Sequence, residues 1–351
     1  MDDRITLDYG SGGGRTSRLI NDLILPLLNG GQVKAGGAAL LDGAVIDIGN
    51  YPGCREGKLV FTTDSFVIDP LFFPGGDIGK LSVCGTVNDL AMMGAKPEYL
   101  SLSFIIEEGF AFKDLERILR SIGDMAKEAG VRIVTGDTKV VDRGRGDGIY
   151  INTAGIGFSK HDLKPENIRP GDCVLVSGTI GEHGAAVMLA RNPGLGMTSG
   201  CEGDQLLSDC APVYREALSL AAGLGNDLRV LRDPTRGGLA TTLNEFIEGR
   251  KDAGIELIEK DIPVSDKVNS ICDILGLDPL YCACEGRLTA VVSPEAADTA
   301  LELLKKGPYG KGAAIIGYVT EENPGRLVVR TPIGTGRVAQ KLSGAQLPRI
   351  C

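Results

Sequence analysis

The sequence predicts an α/β protein of two domains, and three observations carry that prediction. The chain has 351 residues, 43% of them hydrophobic, which is enough for two cores of ordinary size. Strand-like runs rich in β-branched and aromatic residues alternate with helix-period segments in both halves. A polar, proline-bounded stretch, Ser159 to Pro170, separates the halves and marks the boundary.

Taken in order, Gly10 to Thr16 (GSGGGRT) is a glycine-rich loop and Ser17 to Leu28 reads as the helix it opens, the two forming an N-terminal arm over residues 1–48. Lys58 to Ile68 (KLVFTTDSFVI) is rich in strand formers. From Lys113 to Gly130, Leu115, Ile118, Leu119, Ile122 and Ala129 recur at helical spacing, and Gly130 supplies the stop. Strands at Val131 to Thr135 and Ile149 to Phe158 complete a first domain, 49–158. The second, 170–333, opens with a strand from Asp172 to Val176. Helices at Pro212 to Leu224 and Leu239 to Gly249 follow, with strands near Arg287 to Ser293 and Ala314 to Val319. From residue 334 small and polar residues predict a flexible tail, 334–351, ending Leu347-Pro348-Arg349-Ile350-Cys351. No short repeat is present.

Composition narrows the function classes. Fifty glycines and no tryptophan describe a loop-rich α/β protein, a common reading for nucleotide binders but a weak one alone. With 37 basic against 46 acidic residues the net charge is −9, and there is no basic run, so a polyanionic partner such as nucleic acid or an anionic membrane is excluded. Met1-Asp2-Asp3-Arg4 starts no leader, and the longest early apolar stretch, Leu23 to Leu28, is short and holds Pro26. A cytoplasmic protein is the expectation. Nine cysteines, an odd number in a large chain, predict reduced thiols.

Five constellations carry chemistry. Backbone N–H groups of Ser11, Gly12 and Gly13, with Arg15 and a helix start, can cradle phosphate; a flexible arm is the plain alternative, since the register fits neither standard nucleotide template. Asp64 in FTTDSF, Asp89 in VNDLAMMG and Asp137 in TGDTK are aspartates in strand-like or apolar settings, costly to bury unpaired. Mg2+, which takes oxygen ligands from one or two carboxylates and substrate phosphates, would relieve that cost; turn or helix capping would do so too. Lys139, two residues after Asp137, could touch a phosphate or move a proton, or be a solvated surface lysine. Asp233 to Leu239 (DPTRGGL) opens a helix whose dipole could face an anion. At the other end, a thiol at Cys351, after roughly 17 residues of loose chain, reaches ~55 Å fully stretched and ~20–25 Å as a coil, enough to enter its own site or a partner's. The terminal carboxylate disfavours its thiolate and Arg349 partly offsets this, so activation must come from a partner or a pocket.

Two further features read as structural. Cys282-Ala283-Cys284 invites zinc, but there are no paired CxxC motifs and only two histidines, so buried core thiols are the better reading; whether they pair is open. His183 in GEHGAAV stands beside glycines at a helix start, and no Ser-His-Asp assignment is defensible.

The glycine-rich arm, TTDSF, GTVNDLAMMGA, TGDTK and DPTRGGLA together resemble the aminoimidazole ribonucleotide synthetase-like (PurM-like) superfamily. Within it, Pro70 to Ser101 and the ending PRIC, Pro348 to Cys351, resemble the HypE-type hydrogenase maturation factors, over essentially the whole chain. The resemblance implies a homodimer whose N-terminal domains build a shared β-barrel, a C-terminal α/β sandwich, and ATP bound near the dimer interface. It implies that a carbamoyltransferase, HypF, loads a carbamoyl group on Cys351, that ATP drives its dehydration to a thiocyanate, and that the cyano group passes to iron on a HypC–HypD complex for [NiFe]-hydrogenase. Asp64, Asp89 and Asp137 would then handle Mg2+ and ATP, with Ser11, Gly12 and Gly13 closing over the phosphates and Lys139 and Glu285 removing protons. Tyr9 departs from the histidine that precedes this loop in many relatives. Against a selenophosphate synthetase, the first cysteine is Cys54, far from the glycine loop. Another ATP-dependent enzyme of the superfamily, or a thiol carrier gated by nucleotide, are the rival readings.

Overall fold

The chain is seen in a computed structural model that describes residues 14–19, 22, 44–47, 57–192, 194, 205–342, 347 and 349–351. Helix α1 (Gly14–Leu19) leads to strands β1 (Ala44–Asp47), β2 (Lys58–Phe66), β3 (Phe72–Phe73) and β4 (Gly76–Asp77). Then come α2 (Ile78–Met92), β5 (Lys96–Glu107), α3 (Phe112–Ala129), β6 (Arg132–Val141) and β7 (Ile149–Ser159). The second half runs β8 (Cys173–Val176), α4 (Glu182–Arg191), α5 (Tyr214–Leu224), β9 (Leu228–Arg232), α6 (Gly238–Ile247), β10 (Gly254–Ile258) and α7 (Asp266–Leu275). It closes with β11 (Thr289–Val292), α8 (Ala297–Lys306), β12 (Ala314–Thr320), β13 (Leu327–Arg330) and β14 (Gly336–Ala339).

The first half builds a five-stranded sheet in the order β1-β2-β7-β5-β6. Its pairs are antiparallel except β5 with β6, which are parallel and joined by the crossover helix α3. Among the described residues that sheet is open at β1 and β6 and closes no barrel. Side chains alternate between its faces. Val60, Phe66, Ile151 and Leu100 point to the side covered by α2 and α3 and are buried, while Phe61, Ile105 and Phe158 on the other side are 41%, 45% and 47% exposed. The second half builds a seven-stranded sheet, β14-β13-β10-β12-β8-β11-β9, with its own apolar core.

The expected helix and strands are present with shifted ends. Helix α3 buries Ile118, Ile122, Met125, Ala126 and Ala129 and stops at Gly130, whose φ of 69° is the left-handed conformation that glycine adopts without penalty; Leu119, expected inward, is exposed. Two expectations change. The tail suggested from residue 334 onward is not loose throughout: Gly336–Ala339 pairs antiparallel with β13, satisfying backbone groups that a coil would leave to water. The strand expected to end at Thr135 continues to Val141, because β5 supplies a hydrogen-bonded partner along the whole length. The arm helix is described over Gly14–Leu19; its predicted continuation falls, apart from residue 22, outside the described residues.

Helix α2 positions the site. It starts on Asp77, whose carboxylate accepts from Gly79 N at 2.8 Å and Lys80 N at 3.0 Å. It is buried on nearly every side because it lies between the first sheet and the second half, touching β2, β7, α3 and α5. Asn88 near its end donates to Ala211 O at 3.0 Å and accepts from Val213 N at 2.8 Å, fixing a strap over residues 206–213.

Candidate functional site

The C-terminal residues lie in a cleft between the halves. Val67 N donates to the main-chain oxygen of Cys351 at 3.1 Å and Asp69 N to Arg349 O at 3.3 Å, so residues 349–351 run as a short ribbon beside 67–69. Arg191 donates to Arg349 O and, at 2.5 Å, to Asp69 O. Ile350 is buried in the first core, and the Arg349 side chain pairs with Asp147 on the loop before β7.

This docking puts the Cys351 thiol beside Arg236, Glu285, Asp64 and Asp233. Burial pushes the thiol well above its ordinary range; Arg236 opposes this, and the three acids add to it. The cation facing Cys351 is therefore Arg236 of the DPTRGGL turn, not Arg349 as sequence proximity suggests, and the pocket does not activate the sulfur as a nucleophile. Arg236 is held charged by Cys351 first, and also by Asp64, Glu285 and Asp89; its guanidinium lies 3.9 Å from Asp64.

Glu285 is the most unusual group here. It is 3% exposed, and its Oε1 has no hydrogen-bond partner among the described residues. Burial, and then its neighbours Cys210, Asp233, Asp64 and Asp209, push its carboxyl well above the usual range and favour its neutral form. Its place is set by the strap: Asp209 accepts from Glu285 N at 3.1 Å, and a Cβ on Gly286 would stand 1.8 Å from Asp209 O. Buried Asp233 is likewise raised, to about 6, by burial against the opposing pull of Arg232.

Two of the three aspartates come together. Asp64, on β2, faces α2; a Cβ on Gly85 would lie 3.6 Å from its Oδ2, and Asp89 sits one helical turn beyond Gly85, accepting from Thr62 Oγ1 at 2.9 Å. Burial raises the Asp64 carboxyl, while Arg236 and the Ser65 N–H lower it. Two neighbouring carboxylates suit a hard divalent cation whose remaining ligands come from phosphate.

Asp137 is not with them. It pairs in register with Ser103, on the outward face of the sheet, whereas Asp64 is on the inward face. Three strand spacings, roughly 14 Å, also separate β2 from β6. Lys139, on the same outward face, binds Asp137 at 2.6 Å and holds its carboxyl below the usual range. One chain therefore cannot gather all three aspartates on one ion, nor bring Lys139 to its own Cys351 through these strands. No group of three or more potential ligands for a metal occurs among the described residues. Ser11, Gly12 and Gly13 lie outside the described residues.

Cys282 and Cys284 are free, buried thiols, as are Cys84, Cys173, Cys210 and Cys272. Cys284 accepts from Gly181 N at 3.1 Å, and the Cys272 and Cys282 sulfurs are 3.7 Å apart, a packing arrangement without a histidine. The residues that sequence reasoning missed are Arg191 and, as part of the tail's binding site, His183. Only the glycines flanking His183 hint at close packing.

Comparison with known proteins follows the same lines. The AIR synthase related protein N-terminal domain matches residues 41–159 and its C-terminal domain residues 169–330. The chain is 45% identical over 349 residues to the carbamoyl dehydratase HypE of Bradyrhizobium diazoefficiens, covering 99% of this chain and 96% of that protein. It is 42% identical to HypE of Escherichia coli, covering 99% of each. A solved HypE in complex with ATP superposes with a TM-score of 0.78 at 44% identity, over 99% of this chain and 100% of that one. HypE in a HypE–HypF complex does so at 0.79 and 42%, over 92% and 99%. A thiamine monophosphate kinase from Aquifex aeolicus at 18% identity, TM-score 0.62 over 92% and 96%, shares the fold. The chain belongs to the AIR synthase related proteins and, within them, to the HypE family.

Proposed function

We propose that the protein is an ATP-dependent carbamoyl dehydratase acting on its own C-terminal cysteine. The observation that carries this reading is the docked Cys351, set between Arg236, the partnerless Glu285 oxygen and Asp64. A sulfur whose pKa is raised is a poor nucleophile, which suits a step in which it is already acylated and only bears the reacting carbon. Loading then belongs to the undocked tail, in the active site of a HypF carbamoyltransferase.

The amide oxygen of the S-carbamoyl group is a poor leaving group until it attacks the γ-phosphate of ATP, releasing ADP. One N–H proton leaves as the C=N bond forms; loss of the second proton and of phosphate gives the thiocyanate. The net reaction is S-carbamoyl plus ATP to S-cyano, ADP and phosphate. Glu285 lies beside the sulfur, and its raised proton affinity makes the fraction that is ionised the stronger base for taking a proton from nitrogen, while the Arg236 guanidinium faces the charge that develops on the phosphorylated oxygen. Asp64 and Asp89 would hold Mg2+, which supplies charge neutralisation on the phosphates. Ser11, Gly12 and Gly13 would close over them.

Exposed Phe61, Ile105 and Phe158 on the outward face of the first sheet, and its edge β6, support a homodimer that completes a barrel. In that dimer Asp137 and Lys139 would serve the cleft of the other copy, since they cannot reach their own. Transfer of the cyano group to iron on HypC–HypD would follow. The test is mass spectrometry of the C-terminal peptide after loading by the transferase, with Cys351→Ala as control: loss of one water only with ATP and Mg2+ supports the reading, and a Cys351 that is never modified sinks it.

A further inference from the structure

We propose that His183 is a positioning residue for the reaction: a latch that holds the tail docked through the Ile350 carbonyl and so sets where the Cys351 sulfur stands. It lies in the first turn of α4, fully buried, with Nε2 2.7 Å from Ile350 O and Nδ1 2.8 Å from Ser208 Oγ. A carbonyl oxygen only accepts, so the proton is on Nε2. Nδ1 is then the acceptor, and the Ser208 hydroxyl donates to it while accepting from Cys210 N at 3.0 Å. The tautomer is thus fixed from behind by the strap, which Ser208 N anchors to Pro74 O at 2.8 Å. The Phe73 ring meets the imidazole edge-on at 5.3 Å between centroids and fixes its plane.

A histidine that only stabilised a core would spend both nitrogens on core atoms. This one spends Nε2–H on an atom of the segment that carries the reacting group. With Arg191 on Arg349 O and Val67 N on the terminal carboxylate of Cys351, each of the last three residues has a donor on its main-chain oxygen. The register of the tail is read through its backbone, and a slip of one residue would remove Cys351 from Arg236 and Glu285.

The proposal rests on the reading that the docked tail is the reacting state, and its main readout is independent of turnover. Alkylation of Cys351 by iodoacetamide is followed on the C-terminal peptide in the full chain. His183→Ala should raise the rate about fivefold, the factor for losing one hydrogen bond. His183→Gln, whose amide can reach the same carbonyl, should restore most of the protection. Transferase loading of Cys351, which takes the undocked tail, should rise with alkylation in His183→Ala and return toward wild type in His183→Gln, while dehydration of the loaded tail falls in His183→Ala by a similar factor. Equal alkylation in wild type and His183→Ala overturns the latch; faster alkylation with unchanged dehydration overturns its role in the reaction. If even the wild type fails to dehydrate a loaded tail, the proposed function fails, and alkylation still decides the latch. Should His183→Ala not fold, nitrogen NMR of the wild type replaces it: of only two histidines, one should be an Nε2–H tautomer whose signal shifts when residues 349–351 are removed, and a signal that ignores the removal overturns the proposal.

Discussion

At the scale of single residues, two buried groups are held away from their ordinary protonation. Glu285 is pushed toward its neutral form by burial and by surrounding acids, with one oxygen unpaired among the described residues. Glu285→Gln should lower dehydration by roughly 10²- to 10⁴-fold, the usual worth of a positioned acid–base group. It should leave the thermal midpoint unchanged or higher, because a buried ionisable group is gone; a lower midpoint with an unchanged rate would make Glu285 structural. His183 is depressed from 6.5 to about 4, by burial first and against the hydrogen bond to Ile350 O, with Arg191 adding to the depression. A histidine with a depressed folded pKa contributes stability that is present above 6.5 and lost as pH falls toward 4, since the unfolded chain takes the proton first. The ceiling is roughly 3 kcal/mol. Asp233, raised to about 6, slopes the other way, so the comparison must be with a variant: from about pH 7.5 to about pH 5, denaturant unfolding should show the gap between wild type and His183→Gln narrowing.

At the scale of elements, the close approach of the strap to Gly286 sets the site. A methyl group there would overlap Asp209 O, so Gly286→Ala should cost about 1–3 kcal/mol or more and lower dehydration with it. Gly123, inside α3 with open space around its Cβ position, is the contrasting case: Gly123→Ala should stabilise by about 0.5–1 kcal/mol in the same melts. Elements with clear periodicity, such as α3 and β7, were legible from sequence. Helix α2 was not, because burial on all sides removes the polar stripe that marks a helix. Strand β6 was legible only at its start: beyond Thr135 come Gly136, Asp137, Thr138 and Lys139, none of them an apolar strand former, and pairing with β5 rather than hydrophobic alternation keeps them extended.

At the scale of the molecule, the proposed dimer rests on the outward sheet face. Phe158→Asp should shift the protein from dimer to monomer in sedimentation and abolish dehydration with it, because the apolar face that supports the barrel then carries a charge. Lys139→Ala and Cys351→Ala, each inactive alone, should regain activity when mixed and allowed to exchange subunits, since Lys139 would act on the other copy's tail. Failure of that mixture to turn over any tail would place Lys139 outside the reaction.

The sequence by itself determined the family and most of the chemistry. Motifs such as TTDSF, DPTRGGLA and PRIC are local, and the residue types in them limit what they can bind or transfer. The tertiary structure alone decided which of those groups meet. Alternation with a period of two places Asp64 and Asp137 on opposite faces, but sequence does not say which face a neighbour covers. His183 and Ile350 are 167 positions apart and touch at 2.7 Å. Such a contact leaves no local pattern, because it is made by the packing of two halves of the chain around a tail that sequence read only as loose.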